Sequence, residues 1–83
     1  MSDHIKEQLR TYILTELVKE PDYPLQDDEA LITGGFIDSF SLVQVQMFIE
    51  ESFGVRIDDT EMTVENMDTI GQMVERIGMY LSK

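Results

Sequence analysis

Gly34-Gly35-Phe36-Ile37-Asp38-Ser39-Phe40-Ser41-Leu42-Val43-Gln44-Val45-Gln46-Met47-Phe48-Ile49-Glu50-Glu51-Ser52-Phe53-Gly54 is the stretch on which the fold turns. Two glycines give the backbone access to positive φ where a loop runs into a helix. Asp38 is placed as an N-cap, its carboxylate accepting from first-turn amides, and Gly54 is a helix C-terminal signal. Between them the residues predict a helix over 39–53. It holds more apolar residues than one face can take. Leu42, Val45, Ile49 and Phe53 make one stripe, with Phe48 beside it. Phe40, Val43 and Met47 make a second stripe that leans away from the first. A helix with two apolar stripes is either buried on both sides or docks a partner on one.

Upstream, Ile5, Leu9, Tyr12, Ile13 and Leu17 recur at three- and four-residue steps and predict a helix over 3–19. Ser2 or Asp3 is its expected cap, and Pro21 and Pro24 its expected stop. Residues 20–37 then read as a long loop, a feature uncommon in compact domains and often functional, anchored by Leu31, Ile32, Phe36 and Ile37. Downstream, 55–67 has mixed character, with Ile57, Met62, Val64 and Met67 pointing inward and a short helix around 59–63. A last helix starts near Asp68 or Thr69, where Thr69 and Gln72 make a capping-box pattern, and Ile70, Met73, Val74, Ile77 and Leu81 form its stripe. With no strand-like alternation and no repeat, the expected fold class is all-α, a small bundle of three main helices plus one short helix. With 83 residues, it is read as one domain over 1–83.

Composition narrows the function. Seventeen acidic and six basic residues give a net charge of −11, a poor surface for nucleic acid, whose phosphates require clustered Lys and Arg. The same charge disfavours anionic membranes and favours a monomer through self-repulsion. There is no cysteine, hence no disulfide scaffold, thiolate metal site or thiol nucleophile. No stretch has signal-peptide character or the roughly 20 apolar residues of a membrane span, so the expected location is cytoplasmic. No 12-residue window from Asp22, Asp27, Asp58 or Asp59 has the ligand spacing of a calcium loop, and no metal is expected. Ser39 is not in a Gly-x-Ser-x-Gly elbow, and His4, the only histidine, is an unconvincing base, so a serine hydrolase is not expected either.

Gly35-Phe36-Ile37-Asp38-Ser39-Phe40, then Leu42-Val43, then Phe48-Ile49-Glu50-Glu51-Ser52-Phe53-Gly54-Val55, resembles an acyl or peptidyl (aminoacyl) carrier protein of the discrete, stand-alone kind. The resemblance extends over nearly the whole chain, including the leading helix, the long loop and the final helix after Asp68-Thr69-Ile70. It implies an acyl-carrier-like fold and no enzymatic activity of the chain's own. It also implies that Ser39, beside the capping Asp38, carries 4′-phosphopantetheine, with cargo held as a thioester. The implied partners are a phosphopantetheinyl transferase, an acyl- or aminoacyl-loading ligase, and the synthase or transferase enzymes of fatty acid, polyketide or nonribosomal peptide biosynthesis. Phe40 stands where leucine is usual, and Ser41, Gln44 and Gln46 stand where fatty acid carriers have more acids or aliphatics, so the cargo stays open.

Charge placement agrees with such a role. Residues 20–68 hold 13 acidic side chains and one basic one, Arg56, leaving 17 − 13 = 4 acids and 6 − 1 = 5 bases outside. A field concentrated there steers basic partners. The expected docking surface comprises Asp38, Glu50, Glu51, Asp58, Asp59 and Glu61 around an apolar centre of Phe40, Val43 and Met47. A core lined by Ile5, Leu9, Leu42, Val45, Ile49, Ile70, Val74 and Ile77 could open to shelter an acyl chain. Two alternatives remain. Ser39 is a plain capping residue, or the chain is a cofactor-free acidic helical module that binds one basic protein.

Overall fold

The computed structural model describes residues 2–82, with side chains from residue 4. Its helices are α1 (Ser2–Tyr12), α2 (Ser41–Phe53), α3 (Val64–Met67) and α4 (Ile70–Leu81), with no strand among the described residues. This is the expected all-α bundle of three main helices and one short one. The expected cap at Ser2 or Asp3 lies outside the described side chains.

The first helix differs from its expected form. At Ile13 it widens into a π-helix over Ile13–Val18. A regular helix with a single stripe buries Ile13 and leaves Leu14 aside, whereas here both are buried. Leu17 is only half-buried. The wider turn accommodates the extra inward residue, a common cause of such local π geometry. The helix ends before the prolines, at Lys19, which adopts a left-handed conformation (φ 63°) and donates its amide to the Leu14 carbonyl. The Glu20 amide donates to the same carbonyl at 2.9 Å.

The second helix begins at Ser41, two residues later than expected. Asp38, Ser39 and Phe40 form a tighter lead-in turn, in which the amides of Ser41, Leu42 and Val43 bond to carbonyls three residues back. Its inward face is Leu42, Val45 and Ile49, as expected, together with Gln46. Gly54 ends it at φ 69°, donating to the Glu50 carbonyl at 3.0 Å. Phe48 and Phe53 are half-buried. Phe48 stacks on Tyr12 with ring centroids 4.2 Å apart and meets Phe53 edge-on at 5.9 Å. The Tyr12 stack fastens α1 to α2, and both contacts have favoured aromatic geometry.

The short helix expected around 59–63 is replaced by two pieces, a 3-10 turn over Asp59–Glu61 and then α3. Asp58 caps the first through the Thr60 amide, and Thr63 caps the second through the Asn66 amide. Ile57 and Met67 are fully buried, but Met62 and Val64 only partly. Each piece is a single turn and turns only part of its residues inward. The final helix has the full capping box at Thr69 and Gln72. Its stripe ends at Ile77. Leu81, expected inside, is 49% exposed because it lies at the helix end, a turn beyond the last core residue. Ile5 and Val74 pack against the core without being enclosed by it.

Leu25, Leu31 and Ile37 of the long loop are buried, while Ile32 and Phe36 pack against the core from its edge. Asp68 ties the loop down. Its carbonyl accepts from the Leu31 amide at 2.7 Å, and its carboxylate accepts from the amides of Ile32 and Thr33 and from the Thr33 hydroxyl. Lys6 and Arg10 of α1 pair with Asp27 at the other end of the loop. Of the two glycines expected to take positive φ, only Gly35 does. Gly34 is needed for room, since a Cβ there would lie 2.1 Å from the Ala30 carbonyl oxygen.

Candidate functional site

The loop and the start of α2 meet at Asp38-Ser39. The Asp38 carboxylate accepts from the Ser41 amide at 3.0 Å and the Ser41 hydroxyl at 3.2 Å, so it caps the turn as expected. Ser39 is exposed, one residue into that turn. Among the described residues its hydroxyl has no hydrogen-bond partner, and neither do the amides of Ser39 and Phe40. Unpaired first-turn amides at the positive end of a helix suit an anionic group. The cap therefore leaves one hydroxyl and two amide donors without a partner among the described residues.

Ser39 stands on the rim of a groove of 330 Å³. Leu42, Val43, Gln46, Met47 and Glu50 of α2 form one wall, and Arg56, Asp59 and Met62 form the other. The second stripe of α2 is open to solvent, with Phe40, Val43 and Met47 exposed by 83, 66 and 54%. Val43 and Met47 thus belong to both the groove and the exposed stripe. A hollow of 510 Å³ elsewhere is lined by one side of α1 and Phe48. His4 borders that hollow and pairs with Gln8, and it is not among the residues that line the Ser39 groove.

The acidic residues separate by what they already hold. Glu50 accepts from Arg56 at 2.8 Å, and Asp59 lies 3.7 Å from the same guanidinium. The Arg56 charge is reinforced chiefly by its hydrogen bond to Glu50. Asp58, though exposed, caps its own turn. The Thr60 amide, and then the Thr60 hydroxyl, hold its carboxyl below the usual carboxylate range. Glu61 accepts from the Tyr80 hydroxyl and from Arg76 at 2.9 Å, and the Tyr80 bond is the main cause of its lowered pKa. Tyr80 is raised by the same bond, and its oxygen accepts from the Asp58 amide at 3.0 Å. Asp58 and Glu61 thereby pin the 58–61 segment to α4. Glu51 lies in a separate crease with Tyr12, Gln44, Met47 and Phe48. The structure brings Ser39, Val43, Met47, Glu50 and Asp59 around one groove, leaves Phe40 exposed beside α2, and sets Asp58, Glu61 and Glu51 apart from it.

Four groove residues were absent from the sequence-derived site, namely Leu42, which was expected only in the core, and Gln46, Arg56 and Met62. Arg56 could have been found as the single base within an acidic half-chain. Gln46 falls at inward helical spacing with Leu42, Val45 and Ile49, and a polar residue on such a stripe signals a buried hydrogen bond. It is 7% exposed, donates to the Ile57 carbonyl and accepts from the Ile57 amide at 3.4 Å.

No protein-family model matches the chain. Over 65 residues it is 37% identical to a protein named acyl carrier protein from Acidothermus cellulolyticus, an alignment that covers 78% of this chain and 75% of that protein.

Proposed function

The chain belongs to the acyl carrier protein family, and from that membership we propose that Ser39 is its attachment site for 4′-phosphopantetheine. As a family member it is a carrier, a protein that works by presenting a bound group to biosynthetic enzymes. The observation that carries the assignment to Ser39 is the free hydroxyl at the start of α2, with two unpaired amides next to it. These residues fit the group. An exposed alcohol can be esterified without disturbing the core, and the amides of Ser39 and Phe40 can receive a phosphodiester, as helix N-termini do. When bound, the group supplies the thiol that a cysteine-free chain lacks.

The chain's own residues orient and admit. Asp38 bonds to Ser41 rather than to Ser39, which keeps the capping turn closed while the Ser39 hydroxyl stays accessible. Phe40, Val43 and Met47 are the apolar centre we assign to enzyme docking, with Asp38, Glu50, Glu51 and Asp59 as its acidic members. Asp58 and Glu61 belong to this surface through their charge, while their hydrogen bonds hold its far edge to α4. Partners with basic faces, a phosphopantetheinyl transferase, a loading ligase and later acyl-processing enzymes, meet this field before contact. We read residues 1–83 as one carrier domain.

Intact mass after incubation with coenzyme A and a broad-specificity phosphopantetheinyl transferase tests the assignment, with Ser39→Ala alongside. The wild type should gain one phosphopantetheinyl group and Ser39→Ala none. Equal gain in both would move the site elsewhere. No gain in either, with a control carrier modified in the same tube, would favour a cofactor-free module that binds a basic protein.

A further inference from the structure

Gln46 is the buried polar side chain among the described residues, and nothing so far uses it. We propose that Gln46 closes the way from the Ser39 groove into the core. Cargo then stays at the surface, and the core does not shelter an alkyl chain. The proposal rests on Ser39 being the attachment site.

Leu42 and Gln46 are the buried residues of the groove's α2 wall. Ile57, to which Gln46 is bonded, is fully enclosed in the core. Both ends of the Gln46 amide are engaged there, the nitrogen donating to the Ile57 carbonyl and the oxygen accepting from the Ile57 amide. This bridge ties α2 to the segment opposite. An alkyl tail entering from Ser39 would have to break both bonds and leave an amide and a peptide unit unpaired in apolar surroundings, which is costly. Past the bridge, Val45, Ile49, Ile70, Met73 and Ile77 have no exposed surface at all. The groove outside the bridge is open to solvent and mixed in character, with Val43, Met47 and Met62 beside Glu50, Arg56 and Asp59.

The test loads Ser39 with acetyl-, hexanoyl- and decanoyl-phosphopantetheine from the corresponding coenzyme A thioesters. Intact mass reports loading, and failure to load overturns the Ser39 assignment together with this proposal. In the loaded proteins the melting midpoint should agree to within about 1 °C across the series, where burial of even three methylenes would raise it by roughly 10 °C. Amide exchange at Ile57 and the methyl shifts of Val45, Ile49 and Ile77 should likewise ignore chain length. A midpoint or methyl shift that rises with length overturns the proposal while leaving Ser39 in place. Gln46→Leu should make the decanoyl form alone more stable and its core methyls responsive. Gln46→Met serves if the leucine variant does not fold. Continued indifference to length in a folded variant would overturn the role of Gln46.

Discussion

The Asp68 carboxylate accepts from the Ile32 amide at 2.7 Å, the Thr33 amide at 3.0 Å and the Thr33 hydroxyl at 2.6 Å. Burial works against its charge, but these bonds and that of Leu31 outweigh it and lower the pKa. From its sequence position the residue is only a helix-start candidate, because its partners lie in a loop that local rules cannot place. Asp68→Ala should destabilise the protein by about 1–2 kcal/mol, allowing for partial exposure of the bonds. Urea unfolding measures that loss directly. An unchanged midpoint would mean that the loop is held by Leu25, Leu31 and Ile37 alone. Ser39 is the contrasting case, since its exposure and its capping neighbour are both local and were legible at once.

Among the elements, the helix ends set by one residue and its neighbours were the most legible. Thr69 and Gln72 make the capping box that their spacing announces. Gly54 adopts φ 69° with nothing within 4 Å of a Cβ built there. Gly54→Ala should therefore cost about 1 kcal/mol through backbone strain alone. A melting midpoint lower by roughly 4–8 °C would report it. A clash, by contrast, would cost more, and no change would mean that α2 ends without the left-handed turn. The π turn over Ile13–Val18 had no local signal. It arises because Ile13 and Leu14 both find room in the core, and that room is made by the other helices.

For the whole molecule, the net charge of −11 sets how stability responds to solution. At neutral pH the acids repel one another, and raising salt from about 0.01 to 0.15 M shortens the screening length from roughly 30 to 8 Å. The melting midpoint should rise by a few degrees over that range, and a fall would mean that the ion pairs of Asp27, Glu50 and Glu61 outweigh the repulsion. The response to acid has the other sign. Asp27 (through its Lys6 hydrogen bond), Asp58, Glu61 and Asp68 all have lowered pKa values. Groups that ionise more readily when folded stabilise the protein above the ordinary carboxylate range, and that contribution is lost as pH falls through their folded values. Stability should thus decline below about pH 4, and a pH series of thermal melts down to pH 2 reads this directly.

The sequence by itself determined the helical class, the order of the three main helices, the Asp38-Ser39 junction and the acidity of the middle of the chain. All of these rest on residue type and spacing within a few positions, where periodicity and capping act. Only the tertiary structure decided that Arg56 and Met62 face Ser39 across a groove, and that Gln46 is bolted to Ile57. It also decided that Asp68 holds the loop, and that Glu61 spends part of its charge on Arg76 and Tyr80. Each of these joins residues from different elements. Their partners are chosen by how the packed helices bring distant backbone and side-chain groups within hydrogen-bonding reach, and no local pattern encodes that choice.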